Sequence, residues 1–243
     1  SAVGLWQFME VTAKQYGLIR DPWIDERRDP IKATEAAARH LKDLHLKFGD
    51  WALAFAAYNA GIGSVNRAIR QTQSNDFWRL ASEGALPLEA TRYVPKIMAA
   101  MLVGRHPGRF GLGEIRRQSE WTFATVSTPG ETDLEKMATR TGVSLPVIMA
   151  LNPELLRGFT PPYVDDYPLR VPEGKASIIE NYLQKMAFGK PGLVIEHRVR
   201  FGERLRHIAK AAGVSHRRLR RLNGLEPGGE PGVGDIVLVP KDL

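Results

Sequence analysis

The sequence predicts an α+β chain of several domains, with an all-α segment first and two small βααβ units after it. Three observations support this prediction. The length of 243 residues exceeds what one small domain usually needs. Apolar residues recur at helical spacing in residues 1–112, and no convincing alternating strand appears there. Beyond residue 113, a set of short motifs occurs twice in the same order.

Three helices are predicted in residues 1–112. One apolar face consists of Ala37, Leu41, Leu44 and Phe48. The run Trp51 to Ala60 is apolar nearly all round, which is typical of a buried helix, and Gly61 and Gly63 are expected to end it. A third helix is predicted from Arg92 to Val103, with Pro95 in its first turn. The residues predicted on its inner face are Val94, Ile97, Met98, Met101 and Leu102. The aromatic residues predicted in the core are Trp51, Phe55 and Trp78.

Residues 113–243 contain an internal repeat. Its paired motifs are Gly142-Val143-Ser144 with Gly213-Val214-Ser215, Leu151-Asn152 with Leu222-Asn223, and Val171-Pro172 with Val239-Pro240. Each copy is predicted to fold as strand, helix, helix and strand. The predicted strands are Trp121–Val126 and Leu169–Val171 in the first copy, and Val194–Phe201 and Ile236–Val239 in the second. A helix from Ser177 to Phe188 is predicted in the connection between them. The predicted domains are 1–112, 120–173, the linker 174–192 and 193–243.

Composition and charge exclude several classes of protein. Hydrophobic residues make up 43% and charged residues 25%, as in ordinary globular proteins, and the absence of cysteine excludes disulfide scaffolds and thiol nucleophiles. The uncharged run Trp51–Asn66 is too short and too polar to span a bilayer. The six histidines are scattered and form no metal-binding motif, so we expect no metal and no cofactor. The net charge of +7 comes from residues 1–112 and 193–243 and suits a polyanionic partner.

The helical segment carries three ordered motifs: Gly4-Leu5-Trp6-Gln7-Phe8-Met9, then Ala57-Tyr58-Asn59-Ala60-Gly61, then Leu86-Pro87-Leu88-Glu89 with Tyr93-Val94-Pro95-Lys96. In this respect the segment resembles the lysozyme-like catalytic domain of lytic transglycosylases, in the soluble-transglycosylase and goose-lysozyme-like branch. The stretch from Asp25 to Pro30 is similar to the membrane-bound transglycosylase D subgroup. Glu10 and Ala90 depart from the family pattern.

The second repeat resembles a LysM domain. Its start is Val199-Arg200-Phe201-Gly202-Glu203-Arg204-Leu205, and its pattern continues through Ile208-Ala209, Gly213-Val214-Ser215, Leu219, Leu222-Asn223 and Val239-Pro240. The first copy is a degenerate version, in which Asp133-Leu134 displaces the expected leucine. A transglycosylase domain followed by LysM units is the transglycosylase D arrangement.

The resemblance implies two sets of glycan-binding residues. The substrate-binding residues it implies are Gly4, Leu5, Trp6, Gln7, Met9, Tyr58, Asn59, Ala60, Gly61, Glu89 and Tyr93. The LysM residues it implies are Gly202, Glu203, Arg204 and Leu205 in one loop, and Asn223, Gly224, Leu225 and Glu226 in the other. Gln7 and Asn59 are short amides in apolar sequence, which suits contacts with N-acetyl groups and sugar hydroxyls.

The resemblance also implies the reaction. A single glutamic acid protonates the bond between N-acetylmuramic acid and N-acetylglucosamine and then acts as the base toward the sugar's own 6-hydroxyl, which closes a 1,6-anhydro ring. The attacking hydroxyl is tethered to the substrate, so its effective concentration is high. In the family this glutamate precedes the GLWQ motif, so here it would lie before Ser1. We therefore expect an N-terminally truncated chain that contains no catalytic residue and is itself inactive.

Two other functions remain open at this point. The chain could belong to a pseudoenzyme that binds the cell wall without cleaving it. Residues 208–224 also resemble a helix-turn-helix with a basic second helix, although the uncharged counterpart in the first copy argues against DNA binding. We expect peptidoglycan glycan strands as the partner, no nucleic acid, a monomer, and a location in the bacterial cell envelope, either periplasmic or at the outer membrane. A membrane anchor upstream is compatible with the sequence but is not visible in it.

Overall fold

The N-terminal part of the chain folds into helices joined by short turns, as the sequence predicts. The computed structural model describes residues 1–115, 120–185, 194–226 and 228–240. The helices of the first segment are α1 (Glu10–Gln15), α2 (Pro30–Phe48), α3 (Trp51–Ala60), α4 (Ile62–Thr72), α5 (Phe77–Ser82) and α6 (Leu88–Arg105), with 3-10 turns at Glu26–Arg28 and Pro107–Phe110. No helix among the described residues combines the length and apolar composition needed to cross a bilayer.

The chain divides into two compact units that cut across the chain order. One unit consists of Ser1–Ala33 together with Trp121–Leu243, and the other of Thr34–Glu120. The N-terminal motif and both repeats therefore belong to the first unit, and the second and third motifs of the helical segment belong to the second.

The second unit is built around α3, which packs against both α4 and α6. Asp50 caps α3, because its side chain accepts a hydrogen bond from the backbone N–H of Leu53 at 2.8 Å. Gly61 ends the helix at φ +83°, a conformation that favours glycine, as predicted. The core of this unit contains Leu44, Leu53, Ala54, Ala57, Val65, Phe77, Leu80, Leu86 and Val94.

The structure corrects four expectations for this unit. Helix α6 begins at Leu88, so Pro95 lies inside it rather than in its first turn, and Gly63 lies within α4. Of the predicted inner face of α6, only Val94 is fully buried, and Met98, Met101 and Leu102 are about half exposed. Trp51 and Trp78 are also about half exposed. Trp51 is the first residue of its helix, so part of its side chain reaches solvent. Its ring stacks on that of His45, with the ring centroids 4.2 Å apart.

The first repeat has the predicted order of strand, helix, helix and strand, and its two strands form an antiparallel sheet. Its elements are β1 (Phe123–Thr128), α7 (Leu134–Thr141), α8 (Leu145–Leu151), β2 (Tyr167–Pro172) and the additional helix α9 (Ala176–Gln184). The register runs from Phe123 opposite Pro172 to Thr128 opposite Tyr167. Helix α9 packs on β1 and α7 and buries Ile179 and Leu183 in the core of this repeat. The predicted continuation of this helix to Phe188 lies outside the described residues.

The second repeat has the same architecture. Its elements are β3 (Val194–Arg198), α10 (Leu205–Ala211), α11 (His216–Leu222) and β4 (Ile236–Pro240). The strands are antiparallel, with Val194 opposite Pro240 and Arg198 opposite Ile236. Its core contains Val199, Leu205, Ile208, Ala209, Leu219, Val237 and Val239.

Both repeats are closed by the same asparagine contact. Asn223 is buried at the end of α11, and its amide donates to the carbonyl oxygens of Leu219 and Leu238, both at 2.8 Å. Its side-chain oxygen accepts the backbone N–H of Leu238 at 2.6 Å. In the first copy, Asn152 makes the equivalent bonds to Ile148 and to both backbone groups of Arg170. The asparagine thus ties the second helix to the closing strand, which explains why Leu-Asn occurs in both copies.

A segment of the N-terminal region packs into the first repeat. Trp23 and Ile24 lie in its core, and the backbone N–H of Leu156 donates to the carbonyl of Trp23 at 2.8 Å. The backbone N–H of Asp25 donates to the carbonyl of Glu154 at 2.9 Å. These paired backbone groups resemble a short strand contact and hold residues 19–29 on the repeat.

A buried ionic cluster lies beside this contact. Arg170 donates a hydrogen bond to the carboxylate of the fully buried Asp29. The hydroxyl of Tyr167 donates to Oε1 of Glu154 at 2.7 Å, but Oε2 of Glu154 has no hydrogen-bond partner among the described residues and lies 3.8 Å from Nη1 of Arg170. Burial raises the pKa of Glu154 above its ordinary value and outweighs the lowering by Tyr167 and Arg170.

Candidate functional site

The first motif forms a tight turn at the N-terminus. Val3 and Phe8 pair as an isolated bridge, and the side-chain amide of Gln7 donates to the carbonyl of Gly4 at 2.8 Å. Gly4 has φ +80°, and a Cβ at this position would stand 1.6 Å from the carbonyl oxygen of Arg27. Gly4 is therefore required sterically, which accounts for one predicted binding residue without any ligand.

The turn is held by a buried ion pair. Arg27 donates to the carbonyl oxygens of Ser1 at 3.0 Å and of Phe8 at 3.1 Å. The same guanidinium binds Asp25, with Nη2 2.7 Å from Oδ2. Burial alone would raise the pKa of Asp25, but the hydrogen bonds and charge of Arg27 outweigh it, so the pKa lies below its ordinary value. This arrangement leaves the side chains of Leu5 and Met9 mostly exposed on the turn.

The acidic residues near this turn are engaged in ion pairs. Glu10, the first residue of α1, is exposed and lies 2.5 Å from Nη1 of Arg20. Glu26 is buried and pairs with Lys32, also at 2.5 Å. Asp29 is buried, pairs with Arg170 and caps α2 through the backbone N–H groups of Ile31 and Lys32. Asp25, Glu26 and Asp29 are therefore engaged in salt bridges and helix caps.

In the second unit, the neighbouring helices α3 and α6 bring four predicted residues together. The side-chain amide of Asn59 donates to Oε1 of Glu89 at 3.2 Å. Beside Glu89 is an open pocket of about 390 Å³, lined by Leu88, Glu89, Arg92, Tyr93 and Lys96. The charges of Arg92 and Lys96 were not predicted as part of a site, although both follow Glu89 at helical spacing of three and seven residues.

The two tyrosines of this site are half-buried. Burial, with a smaller contribution from Tyr93, raises the pKa of Tyr58 to about 12. Burial also raises the pKa of Tyr93. Both hydroxyls therefore stay protonated at neutral pH and can donate hydrogen bonds. Ala60 ends α3 and Gly61 provides the turn after it, so these two predicted residues shape the backbone beside Asn59.

In the second repeat, the loop between β3 and α10 is open to solvent. The side chain of Phe201 is 94% exposed, which is unusual for a large aromatic residue. Glu203 accepts from the backbone N–H of Arg200 at 2.9 Å and from His197 at 2.8 Å, and these bonds lower its pKa. Leu205 is fully buried and belongs to the core. Phe201 was not predicted as a binding residue, although an apolar residue in a predicted loop is itself a signal.

The loop between α11 and β4 is less open to solvent than the loop between β3 and α10. Asn223 is buried, and both of its N–H donors bind backbone carbonyls, so its side chain has none left for a sugar. Gly224 has φ +57°, and its carbonyl accepts a hydrogen bond from Arg157. The indole N–H of Trp23 donates to the carbonyl of Leu222. Of the four residues predicted in this loop, Glu226 is the most exposed.

Comparisons with known families match the chain in three successive parts. The profile of the Transglycosylase SLT domain matches residues 1–81. The profile described as Lytic transglycosylase MltD, LysM-like domain matches residues 122–187, and the LysM domain profile matches residues 197–240. The resemblance found from the motifs and the α+β fold class are therefore confirmed, including the transglycosylase D arrangement.

Among curated proteins, the chain is similar to "Membrane-bound lytic murein transglycosylase D" of Escherichia coli strain K12. The two are 31% identical over 242 residues, which is 93% of this chain and 52% of the relative. The same identity and coverage are found with the protein of that name from strain O6:H1. A "Putative tributyltin chloride resistance protein" of Alteromonas sp. strain M-1 is 46% identical over 69 residues, or 28% of this chain and 33% of that protein. The chain thus spans about half the length of the transglycosylase relatives.

Proposed function

We propose that this chain is part of a peptidoglycan lytic transglycosylase that cleaves the bond between N-acetylmuramic acid and N-acetylglucosamine with formation of the 1,6-anhydro sugar. The two repeats would hold the enzyme on the glycan. The observation that carries the proposal is the grouping of Tyr58, Asn59, Glu89 and Tyr93 beside an open pocket. The matches to the SLT and LysM families support it.

The residues in and beside the pocket would bind and orient the sugar. Asn59 offers an amide whose orientation is fixed by Glu89, which suits an N-acetyl group. Tyr58 and Tyr93 would donate hydrogen bonds to ring or bridge oxygens, because burial keeps their hydroxyls protonated. Holding the sugar in one conformation would place its own 6-hydroxyl for attack, which replaces the need for a bound water.

None of the acids of the turn region fits the role of general acid. That role needs a carboxylic acid in an apolar pocket that a substrate can reach. Asp25, Glu26 and Asp29 are buried but paired with cations, and Glu10 is exposed and paired. Glu154 is buried and its pKa is raised, but it is enclosed in the first repeat. Glu89 lines the pocket, but it is exposed and accepts a hydrogen bond from Asn59, so it does not meet this requirement either. We therefore propose that residues 1–243 alone release no anhydro-muropeptides.

Because these acids are paired or enclosed, one alternative function is also favoured, namely binding of peptidoglycan without cleavage. A protein that binds peptidoglycan without cleaving it would keep the pocket and the repeats and would need no general acid. The two functions make different predictions for the full-length protein, because only the enzyme releases anhydro sugars.

The test is to incubate the full-length protein with purified sacculi and to detect 1,6-anhydro-muropeptides by mass spectrometry. We expect Asn59→Ala and Tyr93→Phe to lower the rate by about tenfold each, as expected when one hydrogen bond to the substrate is lost. Asn75→Ala and Tyr182→Phe are matched controls outside the pocket and should leave the rate unchanged. Release of ordinary reducing ends would contradict transglycosylation, and binding without any release would favour the alternative.

We further propose the partners and the location. The partner is the peptidoglycan glycan strand rather than nucleic acid, the protein acts as a monomer, and it lies in the bacterial cell envelope, in the periplasm or at the outer membrane. The similarity to a membrane-bound murein transglycosylase supports the envelope location. The proposed domains are residues 1–112, 120–173 and 193–243, with 174–192 between the repeats. Glycan contacts are proposed for Trp6, Gln7 and Met9 of the N-terminal turn, and for the residues of the two loops of the second repeat other than the buried Leu205 and Asn223.

A further inference from the structure

Helices α10 and α11 carry an unbalanced positive charge. Between Glu203 and Glu226 the sequence contains no acidic residue. The cations whose side chains the structure describes in this stretch are Arg204, Arg206, Lys210, Arg217, Arg218 and Arg220, which we call the basic surface. All but Arg220 are exposed, and Arg220 is half-buried. Within the described part of the chain, none of the six forms an ion pair.

The fold itself does not require these charges. Helix α8 occupies the position of α11 in the first repeat, has the same length and carries no charged residue. Both helices bury apolar residues, with Ile148 in α8 and Leu219 in α11 fully buried. An arginine at an exposed position gains little from packing, and like charges on one short helix repel each other. The packing of the repeat therefore does not account for the arginines of α11.

The basic surface adjoins the loops proposed to bind glycan. Arg204 lies within the loop that leads into α10, and α11 ends at Leu222, directly before Asn223. One helical turn rises about 5.4 Å, so Arg218 and Arg220 lie within about one turn of the second loop. An anion bound here would thus be attached to, or lie beside, a glycan bound in the loops.

We propose that the basic surface binds the carboxylates of the peptide stems carried by the N-acetylmuramic acid residues. This inference rests on the proposed function, since it assumes that the second repeat binds peptidoglycan. Peptide stems end in carboxylates and branch from the glycan at regular intervals, so a sugar chain in the loops brings them to α10 and α11. The surface would give the repeat a preference for peptide-bearing glycan over bare N-acetylglucosamine polymers.

The test compares binding of the chain to intact sacculi, to sacculi whose stems have been removed by an amidase, and to chitin oligomers. We expect tighter binding to intact sacculi, and a preference that weakens as salt is raised, because exposed charges are screened within about 10 Å at 0.1 M salt. The variant R217Q/R218Q/R220Q should lose about tenfold in affinity for intact sacculi, given the modest contribution of each exposed ion pair, and should bind peptide-free glycan as before. If this variant does not fold, R217Q/R218Q removes only exposed side chains and should lose a smaller part of the preference.

The matched control is R105Q/R109Q/R140Q, which removes three exposed arginines elsewhere and should keep the preference. Equal binding of the unmodified chain to intact and peptide-free sacculi would overturn this inference and leave the proposed function standing. Failure to bind either form would overturn both. Binding to duplex DNA or to anionic lipid vesicles that is tighter than binding to sacculi, and that the α11 variant abolishes, would assign the basic surface to that partner and refute the proposal.

Discussion

Replacing Asn223 by alanine should strongly lower the stability of the second repeat. The side chain makes three hydrogen bonds, of 2.8, 2.8 and 2.6 Å, to the backbone of α11 and β4. Each is worth about 1 kcal/mol, and the backbone groups of Leu238 would be left without a partner, so the loss is about 3 kcal/mol or more. A repeat of about 50 residues has a total stability of about 5 kcal/mol at typical values per residue. Asn223→Ala should therefore remove more than half of the stability of this repeat.

Hydrogen exchange measured by mass spectrometry can localise this loss. The backbone N–H of Leu238 donates to Asn223, so peptides that cover β4 should exchange about a hundredfold faster, as follows from about 3 kcal/mol. Peptides that cover β2 serve as the internal control and should not change. Asn152→Ala should give the reverse pattern, because it breaks the equivalent contact in the first repeat. A change of less than about threefold at β4 would refute the view that this asparagine closes the fold.

Three further predictions concern the first unit. Glu154→Gln should stabilise the protein at neutral pH and have little effect in acid, because the raised pKa of Glu154 means that the folded state loses stability as the carboxyl ionises. Measuring the free energy of unfolding across pH tests this, and an equal effect of the substitution at all pH values would contradict it. Gly4→Ala should lower the free energy of unfolding by about 2 kcal/mol or more, because the new Cβ would clash with the carbonyl of Arg27. The control Gly49→Ala meets open space and should lower it by about 1 kcal/mol. Equal melting temperatures of the two variants would exclude the clash. Arg157→Ala should increase the affinity of the chain for chitin oligomers, because it frees the carbonyl of Gly224 in the α11–β4 loop. Isothermal titration calorimetry measures this affinity, and unchanged or weaker binding would show that Arg157 does not compete with the glycan for this loop.

The internal repeat was predictable because its signals are local. Glycine after the first helix, Leu-Asn after the second and Val-Pro at the closing strand mark element boundaries in both copies, and the strands were found within a few residues of their observed bounds. Gly142 and Gly213 show the physical reason, since both take nearly the same left-handed conformation at the end of a helix, at φ +68° and +67°. The motifs also singled out Asn59 and Glu89, which a hydrogen bond joins in the structure.

Contacts between distant parts of the sequence were not predictable in this way. The pairing of Asp29 with Arg170 joins residues 141 positions apart, and neither residue has a local pattern that names the other. The exposure of Trp51 could not be read from a helix that is apolar nearly all round, because such a pattern does not show which side meets solvent. The position of Pro95 inside α6 also required the structure, since the helix begins at Leu88, four residues earlier than the apolar spacing indicated.

The two repeats together separate the residues that make the fold from those that can bind a ligand. Asn152 and Asn223 make the same backbone contacts in both copies, so this position is explained by the fold alone, and the motif match gives no reason to assign it a sugar. The second helices differ, since α8 carries no charge and α11 carries four arginines on the same scaffold. A residue that is present in one copy and absent from the other is not needed for the architecture. For this reason the search for ligand contacts in the second repeat should begin with Phe201 and the basic surface rather than with the residues that the two copies share.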